Sequence, residues 1–151
     1  MCVTNFGSGA ASVTDKATKH QNKQLMATIA KDVFVIGDDM SAIATVGEDH
    51  DFTSVSTNAN ILYTDSMKAI DNSDLYTVSP DLQDAKDEYR LAMVKAHSAA
   101  LYFYVGAEDY KKVNVKDGNS EFDRADNCLK SCNEHVNKAD NLLKAIISNI
   151  N

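Results

Sequence analysis

The residues of this chain best suited to chemistry stand close together in Cys128-Leu129-Lys130-Ser131-Cys132-Asn133-Glu134-His135. On a helix, steps of four and three put Cys128, Cys132 and His135 on one face. Cys128 and His135 are seven residues apart, about 10.5 Å along the axis, so one ion cannot take both. Cys132 and His135 can share an ion, and counting suggests a third ligand. His97 and His135 each lie about 18 to 20 residues from Lys116-Asp117-Gly118, which sets them at one level if that turn joins antiparallel helices. A triad of His97, Cys132 and His135 closed by water suits zinc or copper. The competing reading is structural: Cys132 stands where a small apolar residue belongs, a place free cysteine fills well, and the histidines are interfacial.

Other residues offer less. A Cys128–Cys132 bridge spans Cα atoms about 6 Å apart but with diverging Cβ directions, and it would constrain only a local turn. Met26 or Met40 with a histidine could ligate a non-covalent haem, yet nothing selects that pairing. Glu48-Asp49-His50-Asp51 is acid-rich without the loop pattern of a dedicated calcium site, and so reads as a solvated connection. Tyr102, Phe103, Tyr104 and Tyr110 gather near the end of one helix, either as core or as a binding surface. Ala92, Ala96, Ala99 and Ala100 leave room for close helix approach or for a ligand cavity. The chain contains no Glu-x-x-His pair, no Cys-x-x-Cys-His, no phosphate-binding glycine loop, no Gly-x-Ser-x-Gly and no His-Glu-x-x-His, the patterns on which the common bundle, haem, nucleotide and hydrolase sites rest. The expectation is a non-enzymatic protein with no cofactor, zinc, copper or haem being the alternative.

The elements that must position these residues are helices. Phe122, Ala125, Leu129, Cys132, Val136, Ala139, Leu143, Ile146 and Ile150 recur at alternating three- and four-residue steps, the seam of a bundled helix. A first helix is expected from Thr14 or Thr18, where Thr18 and Gln21 form a capping-box pattern, through Met26, Ile29, Val33, Ile36, Met40 and Ile43, with a bend at Gly37 and an end at Gly47 to His50. A second starts near Phe52 and carries Val55, Ala59, Leu62, Ser66, Ala69 and Tyr76. Ser79-Pro80-Asp81 opens a third, with serine as N-cap, proline at the first position and an acid near the positive helix end. Its seam runs from Leu82 through Tyr89, Ala96, Phe103 and Tyr110 to Val113, stopping before a turn at Lys116-Asp117-Gly118. The fourth then opens at Asn119 or Ser120. Short connections between long amphipathic helices predict an all-α, up-down-up-down antiparallel four-helix bundle over 14–151, preceded by a flexible tether over 1–13.

Charge narrows the partners. Fifteen basic against 22 acidic residues give a formal charge of -7, which argues against a nucleic-acid partner. Arg90 and Arg124 are the only guanidinium groups, leaving few candidates for bidentate phosphate recognition. No stretch is long and apolar enough to span a membrane. Cys2 directly precedes Val3 to Ser12, a small, polar segment. That order resembles a bacterial or archaeal lipoprotein after signal cleavage with Met1 added ahead of the mature terminus, which implies lipid attachment at Cys2, display outside the cytoplasm and membrane contact only through that anchor. The alternative is a cytoplasmic protein with an ordinary initiator methionine and a free thiol. The expected function is a binding, sensory or structural helical module, monomeric or weakly self-associating, whose partner is a protein or a small ligand.

Overall fold

A computed structural model of the chain describes residues 9–150, with side-chain detail over 16–148. It contains four helices, α1 (Gly9–Glu48), α2 (Phe52–Asp74), α3 (Pro80–Lys111) and α4 (Val115–Ile150), and no strand among the described residues. They pack consecutively as an antiparallel bundle, with α3 touching every other helix and α3–α4 forming the closest interface. The upper end holds the α1–α2 and α3–α4 connections, and the lower end the α2–α3 link. Core residues come from the predicted seams: Ile29, Ile36 and Ile43 of α1, Val55, Ala59, Leu62 and Ala69 of α2, Tyr89, Ala92 and Ala96 of α3, and Cys132 and Ala139 of α4. Their side chains are mostly small on α3 and α4, so the helix axes come close. The run Val33-Phe34-Val35-Ile36 is helical, as its flanking periodicity required, and α1 continues through Gly37 without interruption. It also starts at Gly9, ahead of Thr14. The side chain of Gln21 does not close a capping box; its Oε1 accepts the Thr77 N–H at 2.7 Å and so ties the α2–α3 link to α1.

That link is fastened further. Asn22 and Ser79 exchange two hydrogen bonds, Asn22 Nδ2 donating to Ser79 Oγ at 2.7 Å and Ser79 N–H donating to Asn22 Oδ1 at 3.1 Å. Ser79 is the N-cap and Pro80 the first helical residue of α3, as the Ser-Pro-Asp pattern predicts, although the serine hydroxyl serves Asn22 in place of the helix end.

The upper connections are built differently from expectation. The α3–α4 turn falls at Lys112 to Asn114, one helical turn before Lys116-Asp117-Gly118. Val113 N–H donates to Tyr110 C=O and Asn114 N–H to Asp109 C=O, both at 2.9 Å, which is the Schellman arrangement that ends a helix. Its key position needs positive φ, and Val113 supplies it at 63°, where glycine is the usual occupant. The α1–α2 connection repeats the device with His50 at φ 57°, His50 bonding Gly47 and Asp51 bonding Val46. Gly118 is left inside α4 for a packing reason: a Cβ there would meet the Tyr110 ring at 2.6 Å and the Gly106 carbonyl at 3.1 Å, while one on Gly106 would meet Phe122 at 2.7 Å. The two glycines let α3 and α4 cross closely.

Glycine substitution and glycine removal at this corner should therefore act in opposite directions. Val113→Gly relieves a left-handed conformation that costs a β-branched residue about 1–2 kcal/mol, offset in part by glycine's greater unfolded-state freedom; a net gain of about 1 kcal/mol is expected. Gly118→Ala forces an overpacked contact and should cost about 1–3 kcal/mol. Urea unfolding of both variants beside the parent measures the pair, and a destabilised Val113→Gly would contradict the turn geometry.

Candidate functional site

The fourth edge of the bundle is open. Helix α1 reaches α3 across the bundle but makes no comparable backbone approach to α4, and the two face each other over a groove of about 270 Å³. Met26, Ile29 and Val33 line it from α1, Val136 and Leu143 from α4, with Tyr89 of α3 behind them. Ala30, Asn137, Ala139 and Asp140 complete the lining. The cause lies in α1. Its residues Met26, Ala30, Val33, Gly37, Met40 and Ala44 keep a continuous four-three spacing, so they form a second row beside the core row of Leu25, Ile29, Ile36 and Ile43. Every other member of that second row is small. Ala30, Gly37 and Ala44 are exposed, and a Cβ on Gly37 would meet nothing within 4 Å. Met26, Val33 and Met40, expected in the core seam, are accordingly only half-buried, whereas Leu25 is fully buried.

Behind the groove, the Tyr89 hydroxyl donates to Asp32 Oδ2 at 2.7 Å. Burial, then the hydrogen bond and charge of Asp32, push the phenol well above its usual range, so it is a donor at any ordinary pH. Asp32 also borders a recess between α1 and α2 with Asp65 and Lys68. About two turns further along α1, Asp39 holds a buried Oδ2 that has no hydrogen-bond partner among the described residues. Its carboxyl is pushed up to about 6, first by burial and then by Asp65 and Asp38, with Lys68 opposing. Lys68 is itself bound to Asp65 at 2.8 Å.

The sequence-predicted ligands are separated. Cys132 is buried beside the Ala96 backbone, and burial pushes its thiol up to about 11, which keeps it protonated and apolar. His135 Nδ1 lies 2.6 Å from Glu88 Oε2. His97 turns the other way: its Nδ1 is 3.4 Å from Ser66 Oγ and its ring packs on Tyr63 with centroids 4.1 Å apart. Glu88 and His97 are nine residues apart on α3, roughly two and a half turns, so one faces α4 and the other α2. The level fails as well: from the turn at 112–114, His97 lies about 16 residues back and His135 about 22 on, roughly 9 Å apart along the axis. No group of three or more His, Cys, Asp or Glu residues gathers in a metal-holding arrangement among the described residues. Cys128 is half-buried and Cys132 buried, both as free thiols. Cys2 lies outside the described residues.

The remaining candidates have structural partners. Asp51 caps α2, accepting from the Ser54 N–H at 3.1 Å, and these bonds hold its carboxyl below the usual range. Tyr110 stacks on Phe52 at 4.2 Å and on Phe122 at 5.4 Å, closing the upper end of the core, while Arg124 sits 5.8 Å over the Tyr102 ring. The groove, Tyr89 with Asp32, and Asp39 escaped the sequence reading. Their signals were the small-residue row at 30, 37 and 44 and the two aspartates seven apart on the flank of a core seam.

Two outcomes follow from these environments. A carboxyl with a folded pKa of about 6 against 3.8 unfolded favours its protonated form in the fold, so Asp39 costs stability as pH rises from about 4 through 6. Asp39→Asn should raise the thermal midpoint at pH 8 by an amount worth at most about 1 kcal/mol, the group being partly solvated, and should match the parent at pH 4; equal midpoints at both pH values would refute the assignment. In the folded protein, thiol labelling followed by peptide mapping should find Cys128 modified well ahead of Cys132, whose modification should await unfolding. Comparison of the chain with protein-family models, with curated proteins and with solved structures returns no match.

Proposed function

We propose that this protein is a non-enzymatic binding module and that the groove between α1 and α4 receives an apolar ligand. The observation that carries the reading is the open fourth edge of the bundle, where Met26, Val33, Val136 and Leu143 remain partly exposed across a groove lined by both helices. Covering such surface is favourable by about 25 cal/mol per Å². The three side chains of the candidate ligand set support a non-catalytic role, since they are engaged in the fold: His135 with Glu88, His97 with Tyr63 and Ser66, and Cys132 as a buried thiol.

Ala30 is exposed on the groove wall, so Ala30→Trp can fill the groove without disturbing the core. Titration with an environment-sensitive apolar dye should show saturable, near-stoichiometric binding to the parent and at least about tenfold weaker binding to the variant. Unsaturable dye uptake, or binding indifferent to the substitution, would defeat the reading.

For an address, we propose display outside the cytoplasm through lipid on Cys2, supported by the position of that residue directly before the small, polar Val3 to Ser12. Mass spectrometry of protein taken from its native host should find a lipid adduct on Cys2 in the membrane fraction; an unmodified thiol in the cytosol would reject it.

A further inference from the structure

Charge is laid along α1 in two blocks. From Lys16 to Lys31 the helix holds four lysines and no acid, and from Asp32 to Asp51 the chain holds six acids and no lysine or arginine; Asp15 is the only acid ahead of Asp32. Neither block serves the helix itself. Its first turn has no acid and its last turn no base, the placements that would complement its dipole, and Lys19 with Lys23 repeats one charge at a spacing that disfavours it. The lysines do share a face. Lys16, His20, Lys23, Ala27, Lys31 and Phe34 follow one another at steps of three and four, with Lys19 beside them, and all are exposed. Leu25, Ile29 and Ile36 point the opposite way, into the core, so the other helices lie behind this face. Phe34 ends it at 69% exposure. Asp38, the first acid on the same side, comes seven residues or about 10.5 Å past Lys31, beyond the roughly 8 Å screening length of physiological salt.

Four cations and one exposed ring, on a helix face about 27 Å long from Lys16 to Phe34, fit a flat anionic surface with an apolar layer beneath its charge. We propose, resting on the membrane address given above, that this face of α1 docks on anionic phospholipid headgroups, with the lysines at the phosphates and Phe34 entering the interface. Clustered lysines beside a lipid attachment point are how a protein adds a second hold to a single chain, which by itself anchors only marginally. An aromatic ring among the cations is what an interfacial helix carries. In a chain of net charge -7 most of the surface is repelled by such lipids, so the contact also fixes which side of the bundle meets the membrane. Each lysine brought to an anionic surface strengthens association roughly fivefold.

The test uses full-length protein with a free Cys2 thiol, so that binding reads the face and not the anchor, and vesicles of phosphatidylcholine with and without phosphatidylglycerol. Two charge-matched variants are compared with the parent, Lys16→Gln/Lys23→Gln/Lys31→Gln on the face and Lys112→Gln/Lys116→Gln/Lys130→Gln elsewhere, circular dichroism confirming that both stay folded. The parent should sediment with the phosphatidylglycerol vesicles alone, and added salt should release it. The face variant should bind about a hundredfold more weakly, and the other variant no more than a few-fold more weakly. The chain has no tryptophan, so Phe34→Trp reports the docked side directly, its emission moving to the blue on those vesicles. Indifference of the parent to phosphatidylglycerol, equal losses in the two triple variants, or binding without a blue shift would each overturn the proposal. Tighter binding to soluble polyglutamate than to vesicles would do so too, and would reassign the face to an acidic protein. The lipid adduct on Cys2 is read separately by mass spectrometry, so failure of the face leaves the address standing, and an unmodified Cys2 leaves the vesicle result standing.

Discussion

The small side chains of α3 are the constraint from which the rest of the architecture follows. Ala85, Ala92, Ala96, Ala99, Ala100 and Ala107 are all fully buried, so three neighbours can approach this one helix closely, and Gly106 against Gly118 draws α4 in further at the upper end. A helix packed at short range has little freedom left in its position, since interiors tolerate neither voids nor overlap. With α2 and α4 both held by α3, α4 is committed to one side of the bundle. Helix α1 is held by α2, by the α2–α3 link and by the Tyr89–Asp32 hydrogen bond. Closing the last edge would need side chains on α1 long enough to bridge the remaining distance, and Ala30, Gly37 and Ala44 are not.

Tyr89 joins two parts of the molecule that would otherwise be independent. Its ring backs the groove while its hydroxyl points to the α1–α2 side, where Asp32 accepts the proton it donates. The α1–α2 interface is the more polar of the helix contacts, with Asp39, Asp65 and Lys68 at its edge. Like charges gathered there weaken the hold of α1 on α2 as they ionise, whereas the α3–α4 interface rests mainly on alanine, glycine and aromatic contacts, with His135 and Glu88 paired across it. The bundle thus has a rigid half, α3 with α4, and a half whose attachment is more polar. The groove lies on the boundary between them.

How far the sequence could be read depended on whether a pattern had one physical meaning. The unbroken row through Cys132 and Val136 could only be a bundled helix, and Ser79-Pro80-Asp81 could only begin one. Lys116-Asp117-Gly118 had two meanings, since glycine serves both turns and close helix crossings; the fold uses Gly118 for the crossing and makes its turn with Val113 in a conformation that the residue type does not advertise. On α1 two apolar rows overlap. Periodicity cannot say which one is core, and the choice between Leu25 and Met26 is made by the neighbours. The His97, Cys132 and His135 grouping failed in level and in rotation: it was counted from Lys116-Asp117-Gly118, and with the turn one helical turn earlier His97 and His135 stand about six residues, roughly 9 Å, apart along the axis and on different interfaces.

One reading of an open apolar edge is a packing flaw in a chain that failed to close its core. The energetics point elsewhere. A sealed void of comparable size would carry a cost of about 24 cal/mol per Å³, but a groove open to water avoids it and retains only the smaller penalty of exposed apolar atoms. The arrangement is also coherent on both walls: α1 offers a smooth row over several turns, and α4 offers Val136, Leu143 and the half-exposed Ile147. Larger residues at Ala30 or Gly37 would fill the gap at no steric cost to the core, and the chain has small ones at both. Any ligand that covers these walls stabilises the folded state in proportion to its occupancy, and would act most on α1, the helix whose other attachments are polar. Occupation of the groove and retention of α1 in the bundle are then one equilibrium.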